Sequence, residues 1–293
     1  MSMSPFALLK GRYGYRMGYP ATDSNLVDTM VYDALWDSIN DYHMGITAEN
    51  VAKKYNLSRE ELDSFALSSQ KKAKKAIELG AFDDEIVPII KHDKKIDTII
   101  KEDESPRFDS SLDKLLKLKP AFLDNGLVTA GNSSPINDGA AAVVLISERK
   151  MQKLGLSPLV EWVGGALGGV DPSVMGIGPI VSTKKLLEKL SITIDDIDLI
   201  EANEAFAAQS LAVAKELNID YKKLNVNGGA IALGHPVGVS GCRILVTLIY
   251  SLIKRDLKTG LATLCIGGGM GCSTIIRRQT KWKLALLVQE PWE

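Results

Sequence analysis

The stretch Asp198-Leu199-Ile200-Glu201-Ala202-Asn203-Glu204-Ala205-Phe206-Ala207-Ala208-Gln209 decides the fold class. A short apolar strand, 198–202, runs straight into a helix over 205–217, and Asn203 stands at the joint. Working outward, the alternation repeats. Residues 159–166 read as a strand and 182–190 as a helix after Pro179; 224–230 read as a strand and 236–254 mainly as helix. Residues 262–266 and 272–277 read as two strands around Gly267-Gly268-Gly269-Met270-Gly271. Strands alternating with helices imply a layered α/β domain. Upstream, 140–146 is a continuous apolar run, the pattern of a strand buried on both faces.

The first part of the chain has a different texture. Gly11, Gly14, Gly18 and Pro20 break any long helix over 1–36. Val27, Met30, Val31, Ala34 and Leu35 keep a helical period, which predicts a short helix over 28–39. Residues 42–50 lead into a second helix. Ser58 and Glu61 have capping-box spacing and open a third helix, with Leu62, Phe65, Ala66, Ser69, Ala73, Ala76 and Ile77 on one face and Gly80 as its stop. Lys71, Lys72, Lys74 and Lys75 lie opposite and read as a solvated face. Residues 86–90 and 96–100 read as strands joined by a charged turn, with Pro88 arguing for an edge. Residues 101–136 read as loop-rich, and the tail 279–293 as an appendage.

Composition bounds the function. The chain has 293 residues, 45% hydrophobic and 24% charged, enough for a large core. Lys+Arg 35 against Asp+Glu 36 leaves a net charge of -1, which disfavours a nucleic-acid partner. Apolar runs such as 244–249 are too short to span a bilayer, so no membrane partner is expected. The first residues lack a basic segment and a long apolar segment, so no secretory signal is expected. Three cysteines, Cys242, Cys265 and Cys272, fit a reducing, cytoplasmic setting.

Three turns stand where α/β proteins place reactive groups: 203–206, 234–241 and 265–271. Each has an ordinary explanation. Asn203 suits a helix N-cap, His235 a turn between Gly and Pro, and Cys265 an inert core thiol. The glycines match neither the P-loop nor the dinucleotide pattern. Together, an imidazole, a thiol and an amide donor suit thioester chemistry, in which a base moves the proton and amides hold an oxyanion.

The segments Asn203-Glu204-Ala205-Phe206-Ala207-Ala208-Gln209, Asn225-Val226-Asn227-Gly228-Gly229-Ala230-Ile231-Ala232-Leu233-Gly234-His235-Pro236 and Cys265-Ile266-Gly267-Gly268-Gly269-Met270-Gly271 closely resemble the signatures of thiolases of the acetyl-CoA acetyltransferase type. Residues 42–51 and 128–134 match as well, and the resemblance runs from Ser2 to about Arg277. It implies a layered α-β-α-β-α fold and acyl transfer between two acetyl-CoA molecules, or the reverse thiolysis. It implies that His235 activates the nucleophile and that Cys265 is the acid/base at the α-carbon. Asn203 would hold a water with His235 in one oxyanion hole, and Gly267 would lend its N–H to the second. His43, Met44, Arg107, Ser134, Ala205 and Phe206 fall where the family lines its CoA channel. Leu35, Phe122, Ala130 and Met175 fall near the pantetheine and acyl pocket. Coenzyme A thioesters enter as substrate, with no tightly bound cofactor and no metal, and a homo-oligomer is expected.

The departures set further expectations. In the family the nucleophilic cysteine lies in the amino-terminal half, and no cysteine precedes Cys242 here. Cys242 and Cys272 are not expected to replace it. Pro135 stands for a usual glycine, and residues after Arg277 have no family counterpart. The expected division is 1–136 as mostly loop domain (CoA-binding, tetramerisation-type insert), 137–158 as a remnant of the amino-terminal half, 159–278 as the carboxyl-terminal domain and 279–293 as an unmatched tail. The amino-terminal half is thus expected to be largely missing. Activity then calls for a complementary amino-terminal chain as partner. The alternative is a non-catalytic CoA-binding or truncated remnant. A ketoacyl-synthase type, which normally lacks the Cys265 acid/base, ranks below both.

Overall fold

The computed structural model describes residues 7–9, 26–92 and 96–278. Strands β1 (Ala7–Leu9) and β2 (Leu26–Asp28) pair antiparallel. A π-type helical turn, α1 (Val31–Leu35), leads into the small hairpin β3 (Trp36–Asp37) and β4 (Tyr42–His43). Helices α2 (Met44–Lys54) and α3 (Arg59–Glu78) follow, then the hairpin β5 (Ile89–Lys91) and β6 (Thr98–Ile100). Short helices α4 (Leu112–Leu116) and α5 (Glu148–Leu154) precede the main sheet. Its elements are β7 (Glu161–Gly169), α6 (Gly178–Leu190), β8 (Leu199–Ala202), α7 (Ala207–Glu216), α8 (Ala230–Leu233), α9 (Ser240–Lys254), β9 (Thr259–Ile266) and β10 (Met270–Arg277).

The sheet order is β7-β10-β9-β8, parallel only between β8 and β9. Period-two alternation sends neighbouring residues to opposite faces. Leu199, Ala262 and Ile276 pack on Ile244, Leu248 and Leu252 of α9. Ile200, Leu261 and Ile275 pack on Leu186 of α6 and on Ala212 and Val213 of α7. Helix α7 is in turn covered by α2 and α3, because Ala207 and Ala208 share a cluster with Ala48, Leu62 and Ala66. The order of layers is α9, sheet, α6 with α7, then α2 with α3. The fold is α/β, and a second sheet completing an α-β-α-β-α stack is not found among the described residues.

Several local expectations are met. Ser58 accepts from the Glu61 N–H and Glu61 accepts from the Ser58 N–H, so α3 starts on its capping box. The expected strands of 86–90 and 96–100 pair antiparallel as β5 and β6, shorter than expected and with Ile89, Ile90, Ile99 and Ile100 exposed.

Four expectations are corrected. The run 140–146 forms no strand, and Val144 and Leu145 are 94% and 84% exposed. Apolar composition favours burial, but a strand also needs a ladder partner for its N–H and C=O groups. No described strand lies beside it. Residues 224–230 form no strand either. Leu224 makes one bridge to Ile200, then Asn225 and Gly228 turn left-handed at φ 42° and 82°. The Asn225 carboxamide takes over the pairing: Oδ1 accepts from Ala202 N–H at 2.8 Å and Nδ2 donates to Ala202 C=O at 2.8 Å. Lys72 leaves the solvated face and donates to Leu224 C=O at 2.8 Å, because its chain lies along the turn after α7. The helix expected over 28–39 stops at Leu35, since the Asp37 carboxylate accepts from the Ile39 N–H and closes the β3–β4 turn. The tail 279–293 and the glycines and Pro20 of 11–20 lie outside the described residues.

Candidate active site

Residue His235 sits on the turn between α8 and α9. Gly234 precedes it at φ 104°, and a Cβ there would run into the Asn137 carboxamide. That backbone region suits glycine. The His235 N–H is pinned by Asn137 Oδ1 at 3.1 Å and Pro135 C=O at 3.2 Å. The chain at 135–137 therefore fixes the height of the ring.

Both ring nitrogens are engaged. Nδ1 lies 2.6 Å from Ser240 Oγ, which itself donates to Pro236 C=O at 3.2 Å. With Nε2 facing a side-chain donor, the lone pair is assigned to Nε2 and the ring proton to Nδ1, toward Ser240 Oγ. Nε2 faces Asn203 Nδ2, a donor, at 3.4 Å. Burial, aided by the Arg243 charge, pushes His235 down to about 4. The ring is a neutral acceptor at pH 7.

Asn203 leaves the end of β8 and is 1% exposed. Its N–H donates to Thr263 C=O at 3.0 Å, and its C=O accepts from Gln209 Nε2 at 3.2 Å. Its side chain therefore caps no helix. Oδ1 is buried without a hydrogen-bond partner among the described residues. Glu204, next along, is locked by Ser69 Oγ at 2.7 Å, Asn225 Nδ2 at 2.8 Å and the Ile231 N–H at 3.2 Å. This ties β8 to α3 and to the turn leading to His235.

Cys265 ends the apolar part of β9, and a three-residue loop, 267–269, returns the chain to Met270. Burial pushes the Cys265 thiol up to about 12, so it holds its proton at neutral pH. The residue keeps some surface open and packs on the cluster of Met44, Met175, Ala205 and Phe206. A Cβ on Gly267 would touch Met44 Cε, which places the loop against the start of α2.

The residues expected to line a CoA channel gather in part. His43 accepts from the Gly45 N–H through Nδ1 at 3.0 Å and stacks on Phe122 at 4.7 Å. Phe122 meets Phe206 edge-on at 6.1 Å. Ser134 donates through both N–H and Oγ to Ala205 C=O at 3.0 Å. Ala130 is exposed on the neighbouring turn. Arg107 is exposed and anchored by its N–H to Gln70 Oε1 at 2.8 Å. Leu35, half-buried at the end of α1, lies outside the Met44–Phe206 cluster. Neither Cys242, on the first turn of α9, nor Cys272, on β10 opposite Leu264, is a hydrogen-bond partner of His235 among the described residues; burial raises both thiols.

Sequence reasoning missed Ser240, Asn137 and Glu204. A signal existed for Ser240, a polar residue at a helix start in 234–241. Asn137 and Glu204 act across long sequence separations and left none. No group of His, Cys, Asp and Glu able to hold a metal occurs among the described residues, and no described helix is long and apolar enough to cross a membrane.

Comparison places the chain among known proteins. The family model "Thiolase, N-terminal domain" matches residues 1–149, and "Thiolase, C-terminal domain" matches 156–278. Residues 1–149 thus belong to the amino-terminal domain of the family. An acetyl-CoA acetyltransferase of Pseudomonas aeruginosa is 55% identical over 279 residues, 95% of this chain and 70% of the relative. One from Syntrophomonas wolfei is 56% identical over 278 residues, 94% of this chain and 69% of the relative. The Bacillus anthracis acetyl-CoA acetyltransferase structure aligns with TM-score 0.90 at 48% identity, over 94% of this chain and 69% of that one. Human mitochondrial 3-ketoacyl-CoA thiolase, in complex with CoA, aligns with TM-score 0.86 at 42% identity, over 94% of this chain and 68% of that one. With both domain models matched and the sheet, the helix order and the His235, Asn203 and Cys265 turns in one fold, the chain belongs to the thiolase family.

Proposed function

We propose that the chain is an acetyl-CoA C-acetyltransferase component that condenses two acetyl-CoA molecules to acetoacetyl-CoA and CoA, or runs the reverse thiolysis. The carrying observation is the His235 ring: neutral, oriented through Nδ1 by Ser240, with Nε2 facing Asn203 Nδ2. Nε2 takes the proton from a nucleophilic thiol, and the thiolate attacks the acetyl carbonyl. The CoA sulfur departs with the proton of the Cys265 thiol, which leaves Cys265 as the thiolate. That thiolate takes an α-proton from a second acetyl-CoA, the carbanion attacks the acyl thioester, and the nucleophile's sulfur leaves and regains its proton from His235 Nε2. A high thiol pKa makes Cys265 a firm donor in one direction and, once deprotonated, a strong base in the other. A water held by Asn203 would form one oxyanion hole with His235, and the Gly267 N–H the other. His43, Met44, Phe122, Ser134, Met175, Ala205 and Phe206 would hold the CoA thioester, with Arg107, Ala130 and Leu35 at its margins.

Cys265 is taken as the acid/base, and neither Cys242 nor Cys272 hydrogen-bonds His235 among the described residues, so the nucleophile's role is assigned to a cysteine outside these 293 residues. The test is acetoacetyl-CoA cleavage by the chain alone and with a separately made amino-terminal segment of a relative. No turnover alone and turnover on mixing is the expected result. His235→Asn then lowers the restored rate by about 100-fold or more. CoA binding without any rescue would favour a binding module, and robust turnover alone would defeat the assignment of the nucleophile.

A further inference from the structure

Glu49 lies in the middle of α2 and is 7% exposed. Its Oε1 accepts from the Val128 N–H at 2.8 Å and from the Leu127 N–H at 2.9 Å, and Oε2 lies 3.0 Å from the same Leu127 N–H. A Cβ on Gly126 would run into this carboxylate, so glycine lets the backbone close on it.

The pinned backbone belongs to a closed loop. The Ala121 N–H donates to Val128 C=O at 2.9 Å, and Pro120 and Thr129 bridge antiparallel. Residues 120–129 therefore leave and return at one place, and Phe122 follows directly on the Ala121–Val128 contact. A Cβ on Gly45, at the start of α2, would run into the Phe122 ring, and that ring stacks on His43 at 4.7 Å. The loop thus meets α2 twice, through Phe122 at its first turn and through Glu49 less than two turns further on. Beyond Thr129 another carboxylate takes over: Asn132 accepts from the Thr129 N–H at 2.8 Å and donates to Asp63 Oδ1 on α3 at 2.8 Å.

Burying a carboxylate is costly unless hydrogen bonds satisfy it, and bonds to an ionised acceptor are among the strong ones. Apolar contact is already supplied by Met44, Ala48, Val51 and Ala52 of α2, all buried. Such contact has no direction and would let a loop slide. A carboxylate facing two successive N–H groups fixes the height of the loop along the helix, and with it the place of the Phe122 ring.

We propose that Glu49 is a positioning residue: by accepting the Leu127 and Val128 N–H groups it holds the loop 120–129 on α2 and keeps Phe122 stacked on His43, so that the face offered to the CoA thioester is formed before the thioester arrives. The inference rests on the reading of His43 and Phe122 as lining residues, and Glu49 acts only through the loop.

The full chain has three histidines, so 13C-histidine NMR follows each one separately. The face of Phe122 shields the His43 ring protons. Glu49→Ala is expected to move the His43 signal downfield while those of His92 and His235 stay in place; a contribution to overall stability alone would move none of them in the folded protein. CoA titrated into the same full chain binds about tenfold more weakly, because the face is no longer pre-organised. Glu49→Gln keeps Oε1 for both N–H groups and returns both readouts toward the wild type. Should the Glu49→Ala chain fail to fold, Gly126→Ala pushes the loop off the intact carboxylate and carries the same two readouts. A folded variant of either kind with an unmoved His43 signal, or with wild-type affinity for CoA, overturns the proposal. A wild-type chain that takes up no CoA defeats the thioester-binding reading, and this inference with it, whatever the His43 signal does.

Discussion

Two stretches of this chain, 199–202 and 140–146, both read as buried strands in sequence and end in opposite environments. The first is β8, buried throughout between β9 and the Asn225 turn. The second is unpaired and largely exposed. Apolar side chains make burial favourable, but extended backbone is stable only where its hydrogen bonds are met. β8 finds a parallel neighbour on one side and a side-chain amide on the other. Residues 140–146 find neither among the described residues. An exposed run of this kind is an association or aggregation hazard.

The contrast can be broken by experiment. The largest effect is expected at Ile200, fully buried between the sheet and α6: Ile200→Ala costs about 2–5 kcal/mol in urea unfolding. A loss under about 1 kcal/mol would mean that β8 is not the buried member of the pair. Next comes Asn225→Ala. It strands the Ala202 N–H and C=O and one donor to Glu204, at about 1–3 kcal/mol for each buried group left unmet. Equal stability of this variant would show that the amide does not stand in for a strand.

A pH effect follows in size. Burial pushes Glu201, on β8, up to about 8. The folded state then binds a proton more tightly than the unfolded one. Its contribution to stability is complete below the ordinary glutamate range and is lost as pH rises toward 8. Glu85, pushed up to about 7 by burial, acts in the same sense. His235 acts oppositely: its folded value is depressed, so stability falls as pH drops from 6.5 toward about 4. Glu201→Gln should flatten the decline between pH 5 and 8 in denaturant titrations; an unchanged slope would remove Glu201 from the account. The smallest effect is expected on the other run. Leu145→Ser changes stability by at most about 0.5 kcal/mol, because the side chain already meets water. A cooperative loss well above that would show the run to be packed.

Much of the site was legible in the sequence. Asn203, His235 and Cys265 fall on turns at strand or helix ends, and His43 stacks on Phe122, which meets Phe206 edge-on. Ser58 and Glu61 cap α3 because a capping box needs only residues three apart. Local chemistry of this sort is written in short stretches. The Ser240 contact was half-legible, and the pins from Pro135, Asn137 and Ser69 were not, since each joins residues roughly 100 or more positions apart.

The sequence by itself determined the alternation of strands and helices, the caps, the glycine turns and the identity of the reactive groups, because each follows from residue type and short-range spacing. Tertiary structure alone decided which run became a strand, that Asn225 pairs with Ala202, and that Glu204 joins β8 to Ser69 of α3. Burial and backbone pairing depend on what lies alongside in space, and a residue's neighbours along the chain do not specify that.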